Sequence, residues 1–175
     1  MTKRFKFVIA IICIALLSGC IFGKGPGPRV MGYRHGTVFL TGKVHYNVGE
    51  LSKDWKKLKS RARAILFFNR EFDASISTSG YCERGDSVRK LDQLAGELAS
   101  SLKNRRTISE KYLSLDGKDA YSLETRGTLD DAPVYMNVVV VKKGGCSFNF
   151  LLIVSDGLSD KVKSDFAQFY GGFSF

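Results

Sequence analysis

Histidine is scarce in this chain, with only His35 and His45 among 175 residues, and there are four cysteines, three prolines and a single tryptophan. Two imidazoles leave little for a histidine-centred catalytic site. Zinc would need clustered His, Cys or acids, and HExxH is absent, so no metal and no cofactor is expected. GxSxG is missing, as is any other visible Ser/His/acid set, which argues against nucleophilic hydrolysis. There is no CxxC for redox chemistry. Gly23-Lys24-Gly25-Pro26-Gly27-Pro28 is no phosphate cradle, because it lacks GxxxxGK[ST] and no strand pattern precedes it. The longest apolar run, Phe7 to Leu17, falls well short of the roughly 20 residues that span a bilayer core. What is present is ordinary for one globular domain: 44% hydrophobic and 25% charged residues, with 27 Lys and Arg against 17 Asp and Glu.

The short apolar run follows Lys3, Arg4 and Lys6, which is the order of a secretory signal. It ends at Leu17-Ser18-Gly19-Cys20, which looks like the lipobox of bacterial lipoproteins. That resemblance implies cleavage before Cys20, whose thiol and freed amine then carry acyl chains such as palmitate. More than one chain gives stable membrane anchoring. Residues 1–19 hold three cations and no acid, so their removal lowers the formal charge from +10 to +7. Ile21 follows the lipid-bearing residue, where this family uses Asp for retention in the inner membrane. The resemblance therefore points to the outer membrane, with the protein facing the periplasm.

Cys13 leaves with the signal and Cys20 carries lipid, so Cys82 and Cys146 remain as a pair in an oxidising compartment. A disulfide between them is the expected state. Closing that loop contributes roughly 4 kcal/mol on the chain-entropy model.

Residues 20–36 are rich in Gly and hold two of the three prolines, which reads as a lipid-anchored flexible tether, with the domain spanning 37–175. Thr37–Leu40 and Lys43–Val48 read as short strands, and Ala64–Phe68 as a buried one. Ala74, Ile76 and Thr78 alternate with Ser75 and Ser77 in a half-buried strand that runs to Cys82. From 87 to 103 the period changes: Val88, Leu91, Leu94, Ala95, Leu98 and Leu102 share a helical face. Asp86 or Ser87 would be the N-cap, and Lys103, Arg105 and Arg106 would lie near the C-terminal dipole. Thr107–Leu115 and Lys118–Leu129 flank Asp116-Gly117, a hairpin signal. Pro133–Lys142 is apolar on both faces, which places it inside a sheet, and Gly144-Gly145 turns the chain into Cys146–Ser155. A final helix spans Leu158–Tyr170. The expected class is α+β: an antiparallel sheet covered by an amphipathic central helix and a C-terminal helix.

This order of elements resembles the PsbP-like fold, which small bacterial lipoproteins use. The residues that carry the resemblance are Phe68-Asn69, Ile76 to Cys82, Leu115-Asp116-Gly117-Lys118-Asp119-Ala120, Gly145-Cys146-Ser147-Phe148, and Phe166-Ala167-Gln168-Phe169 before Gly172-Phe173. They are turns, core positions and the cysteine pair, so they imply a fold more than an activity. Members of this fold mainly act as binding or assembly modules, and the resemblance implies a non-catalytic one.

One segment has chemical character of its own. From Lys53 to Arg63 the cations Lys53, Lys56, Lys57, Lys59, Arg61 and Arg63 face a single acid, Asp54. In an extended chain Lys57, Lys59, Arg61 and Arg63 would share one face. This surface suits an anionic partner: lipid head groups, an anionic envelope polymer or an acidic envelope protein. The plainer reading is a solvated sheet edge whose lysines discourage strand pairing. No recognition motif supports nucleic acid. Two other functions stay open: a periplasmic enzyme of hydrolase type with a site of scattered acids, or a carrier of small apolar ligands.

Overall fold

The computed structural model describes residues 30–40, 44–59, 63–82, 89–155 and 157–175. Two antiparallel sheets organise them. Val30–Arg34 (β1), Thr37–Leu40 (β2) and His45–Asn47 (β3) form a three-stranded sheet in the order β1-β2-β3. The main sheet contains Lys56–Leu58 (β4), Ile65–Asn69 (β5), Ala74–Cys82 (β6), Lys103–Leu115 (β7), Lys118–Leu129 (β8), Ala132–Lys143 (β9) and Cys146–Val154 (β10), in the order β4-β5-β6-β10-β9-β8-β7. Helix α1 is Leu91–Leu98, extended by a 3-10 turn over Ala99–Ser101, and α2 is Asp160–Gly171.

The second half of the sheet is a meander closed by tight turns. Asp116-Gly117, Asp130-Asp131 and Gly144-Gly145 all have positive φ at both residues, the backbone that two-residue hairpins require. Strands β9 and β10 lie inside the sheet and are apolar on both faces, because each face is covered by a different helix. Leu94, Ala95 and Leu98 of α1 pack with Leu123, Val134, Met136, Val138, Val140, Leu151 and Ile153 on one face. Val162, Phe166 and Phe169 of α2 pack on the other with Phe67, Ile76, Val139, Phe148, Phe150 and Leu152.

Helix α2 starts where Ser159 accepts a hydrogen bond from the Val162 N–H at 3.2 Å, an N-cap contact. Its far end touches the small sheet. The Gly49 N–H donates to the Phe169 carbonyl at 2.8 Å, and a Cβ on Gly49 would sit 2.0 Å from the Gln168 oxygen, so only glycine fits this approach. The Asn47 N–H donates to the Ser174 carbonyl at 2.9 Å, which ties the chain terminus to β3.

Several expectations change. Among the described residues the first strand begins at Val30 rather than near Thr37. His35-Gly36, which reads as tether composition, is the positive-φ turn between β1 and β2, and Tyr33 packs its ring edge-on against Phe67 at 5.2 Å. Helix α1 begins at Leu91 with Lys90 at the N-cap, where the Lys90 N–H donates to Gln93 Oε1 at 3.1 Å. The expected caps Asp86 and Ser87, and Val88, lie outside the described residues. Lys103 opens β7 instead of closing the helix, but Arg105 does reach back to the helix end, donating to the Gly96 carbonyl at 3.1 Å. Strand β6 is buried on both faces rather than half-buried, so Ser77, Thr78 and Ser79 are all interior.

Candidate functional site

Cys82 and Cys146 sit directly opposite each other at the paired ends of β6 and β10 and are bonded, with Cα atoms 3.9 Å apart. The bridge joins the strand before α1 to the last strand of the meander. Cys20 lies outside the described residues, as does Arg61.

Strand β4 carries the centre of the basic segment, at one edge of the main sheet. It is three residues long, so of Lys57, Lys59, Arg61 and Arg63 only Lys57 lies within the strand. Lys56 shares the α1 side of the sheet with Leu58, whereas Lys57 lies on the other side, its ammonium 5.8 Å from the Tyr33 ring centre. Lys59 follows the strand and Arg63 precedes β5. Among the described residues none of Lys53, Lys56, Lys57, Lys59 and Arg63 forms an ion pair within 4.0 Å. Trp55 is a core residue at 5% exposure. Its Nε1–H donates to Asp165 Oδ2 at 2.8 Å, fastening the start of β4 to α2. His45 is exposed on β3, as its alternation with Val44 and Tyr46 suggests.

A second constellation lies at the opposite end of the sheet, on the α2 face. Three rows run across the strands from β10 to β7: Phe150, Val139, Ser122, Lys111; then Leu152, Asn137, Glu124, Ser109; then Val154, Tyr135, Arg126, Arg106. Each row starts apolar, where α2 covers it, and ends polar or charged. Glu124 is therefore central in a block whose near neighbours include Ser122, Arg126, Asn137 and Ser109. Strand β7 is bulged twice, between Lys103 and Arg106 and between Thr107 and Ser109. The buried Thr125 hydroxyl donates to the Arg106 carbonyl at 2.9 Å, which holds the bulged backbone and keeps Arg106 on this face.

The block is recessed. Ser122 and Tyr135 are 2% and 7% exposed, Glu124, Asn137 and Ser109 are half-buried, and Arg106, Lys111 and Arg126 are exposed around them. Hydrogen bonds link the floor: Ser122 Oγ donates to Asn137 Oδ1 at 3.1 Å, and Tyr135 Oη donates to Glu124 Oε2 at 2.8 Å. Burial, followed by the Glu124 carboxylate, pushes the Tyr135 phenol well above its ordinary pKa, so it stays a donor; Asn137 and Arg126 pull it partly back. Tyr170, in the last turn of α2, packs its ring edge-on against Phe166, ring centres 5.1 Å apart. Its phenol is raised by burial and, secondarily, by the charge of Glu124.

Sequence reading missed this recess. Its signal was Ser122, Glu124 and Arg126 alternating with Leu123 and Thr125 inside an expected strand, but only the register with β7 and β9 gathers the other members. Glycoside hydrolysis of the usual kind needs two carboxylates, and the recess contributes one, Glu124.

No family model matches the chain, and no curated protein matches it. Solved structures do. The cyanobacterial PsbP protein CyanoP from Synechocystis is similar with a TM-score of 0.51 and 18% identity, over 91% of this chain and 98% of that one. LpqN of Mycobacterium tuberculosis, described as involved in cell envelope biogenesis, matches with a TM-score of 0.51 and 17% identity, over 84% of this chain and 88% of that one. A protein of Bacteroides thetaiotaomicron matches with a TM-score of 0.52 and 11% identity over 74% of this chain, which spans 44% of the larger protein. At these identities the likeness establishes the fold: a PsbP-like α+β fold, mostly antiparallel sheet with two helices.

Proposed function

We propose that this protein is a lipid-anchored cell-envelope module that binds or assembles with a partner and performs no catalysis. The observation that carries the reading is Leu17-Ser18-Gly19-Cys20 after a basic and apolar lead. Cys20 supplies the anchor, and Ile21 in place of Asp assigns it to the outer membrane, periplasm-facing. The description of LpqN as involved in cell envelope biogenesis is in keeping with this, as is the PsbP-like fold, on which the sequence resemblance expects binding modules. Among the described residues no helix is long and apolar enough to cross a membrane.

The basic edge around β4 adds to the anchor. Lys53, Lys56, Lys57, Lys59, Arg61 and Arg63 against Asp54 give a local charge of +5. A cation near an anionic head-group layer contributes about 1 kcal/mol, and tethering raises the effective concentration of such contacts. Because Lys56 and Lys57 point to opposite faces, the domain meets the surface edge-on.

The anchor is tested by mass spectrometry of the N-terminal peptide from membrane-extracted protein. The reading expects acyl mass on Cys20 as first residue. A soluble chain whose N-terminus lies elsewhere and carries no lipid would refute it.

A further inference from the structure

The two edges of the main sheet differ in what they leave open. Strand β4 forms one edge with three residues, too short to template much pairing. Strand β7 forms the other with 13 residues, and among the described residues no strand pairs with its outer side. Both of its bulges lie before Ser109, and from Ser109 to Leu115 the register with β8 is regular. In a two-residue hairpin the residues flanking the turn exchange both hydrogen bonds, and such bonded pairs recur at every second residue. Leu115, Leu113, Lys111 and Ser109 therefore bond to β8, whereas Ser114, Tyr112 and Glu110 turn their N–H and C=O outward. Tyr112 is 68% exposed and Ile108 51%, so this edge also carries large apolar side chains in the open. An unbulged edge with free backbone groups is a template for an added strand.

We propose that β7 accepts an extended, acidic segment of a partner protein as an added strand. The side chains on the two faces of the sheet set the chemistry of that segment. On the α2 side Arg106, Lys111 and Arg126 are exposed, and among the described residues none of them forms an ion pair within 4.0 Å. Arg106 and Arg126 stand directly opposite each other across β7 and β8, a like-charge pairing that costs stability and that an anion beside them would relieve. Glu124, the carboxylate among them, already accepts from Tyr135. Carboxylates at alternate positions of an added strand would lie along this side, next to Lys111 and Arg106. On the α1 side the added strand would meet Tyr112, whose ring packs edge-on against Tyr121 at 5.1 Å and carries the apolar face out to the edge. The segment that fits therefore alternates acidic and apolar residues. No cavity is required, because backbone hydrogen bonds supply affinity and alternate side chains supply specificity. Charge argues against a second copy of this chain as the occupant: β7 holds Lys103, Arg105, Arg106 and Lys111 against Glu110 alone, so two such edges would repel. This inference deepens the binding-module reading, by naming the kind of partner, and rests on it.

The test is calorimetric titration of the full chain, in nonionic detergent, with the capped peptide Glu-Val-Glu-Val-Glu-Val-Glu and, for comparison, a capped all-glutamate peptide of the same length. The alternating peptide should bind more tightly than the all-glutamate one although it carries less charge, and its affinity should fall with salt. Amide exchange followed by NMR should slow at Glu110, Tyr112 and Ser114 when it binds. Arg106→Gln and Lys111→Gln should each weaken binding about two- to five-fold, the worth of an exposed ion pair. Glu110 separates strand addition from plain charge. Glu110→Gln removes an acid from the edge and should keep or strengthen binding. Glu110→Pro removes the same acid together with an outward N–H and should abolish it, and proline is tolerated on an edge strand at such a position. If that variant fails to fold, exchange protection in the wild type decides. No binding of the alternating peptide by the folded protein would overturn the inference. So would tighter binding in both Glu110 variants, or preference for the all-glutamate peptide without exchange protection, since that is the behaviour of a simple cationic patch. A dimer that protects the same three amides without peptide would overturn it in favour of a second copy. Any of these failures with lipid still present on Cys20 leaves the anchored module standing, whereas an unlipidated Cys20 with intact peptide binding removes the anchor and spares the edge.

Discussion

The two ends of a single sheet face differ more than its two faces do. At the β10 end, under α2, Phe148, Phe150, Phe166, Phe169 and Phe173 fill the space with edge-on and tilted ring contacts; Phe148 and Phe173 lie 5.0 Å apart, and Phe150 and Phe169 6.2 Å. Two strands away, at the β8–β7 end, the same rows finish in Ser122, Glu124, Arg126, Lys111 and Arg106. Burial of large apolar side chains stabilises a fold by amounts that polar surface groups rarely match. One end of this face therefore holds the domain together, and the other is free to be chosen for contact.

The largest effect should come from breaking the covered end. Phe150→Ala removes a fully buried ring between β10 and α2 and should cost about 3–5 kcal/mol in equilibrium denaturation. A loss below about 1 kcal/mol would mean that the aromatic layer is not the main support.

A smaller effect sharpens the comparison with the far edge at β4, whose cations are placed for a surface rather than for the core. A domain lacking residues 1–20 should bind anionic liposomes in a salt-dependent way. Replacing Lys57, Lys59, Arg61 and Arg63 by Gln should weaken that binding, with the melting temperature nearly unchanged. Equal, salt-independent binding by both proteins would make these residues ordinary solubilising charge.

The smallest effect concerns the turn between β7 and β8. Lys143 Nζ donates to the Asp116 carboxylate, and the Phe175 N–H donates to it at 3.0 Å, so one side chain ties the hairpin to β9 and to the chain end. Those contacts, the Lys143 hydrogen bond first, hold the Asp116 pKa below its ordinary value of 3.8. A depressed carboxyl stabilises the fold above the unfolded-state pKa, and that contribution is lost as the pH falls through the folded value. Wild type should therefore lose slightly more stability than Asp116→Asn on acidification below about pH 4. Identical acid profiles would show that the contact contributes nothing.

The meander was legible because two of its three turns are written locally; Asp130-Asp131, the third, adopts its positive φ without a glycine to announce it. Asp116-Gly117 and Gly144-Gly145 announce backbone that other residues resist, and the run of valines in β9 demands cover on both faces. The resemblance to the PsbP-like fold rested on such positions, and the structural neighbours agree with it. What was not legible depended on distance in the chain. Gly32, His35 and Gly36 have the composition of a linker, and only Phe67 and Lys57, far along the sequence, make Tyr33 a packed residue. The serines of β6 look like a wet face until Leu151 and Asn149 of β10 are set opposite them. The recess was hidden for the same reason: Arg106, Glu124 and Asn137 come from three strands, and the bulges of β7 shift the register that would have aligned them.

The account's central claim, that one end of the α2 face supports the fold while the other is reserved for contact, is tested most directly by denaturing a protein carrying Arg106→Gln, Glu124→Gln and Arg126→Gln. Gln at position 124 still accepts from Tyr135, and the like-charge pair across β7 and β8 is gone. The account predicts a denaturation midpoint within about 1 kcal/mol of wild type, or slightly above it. A loss of several kcal/mol, comparable to that of Phe150→Ala, would contradict it and make the polar block part of the core.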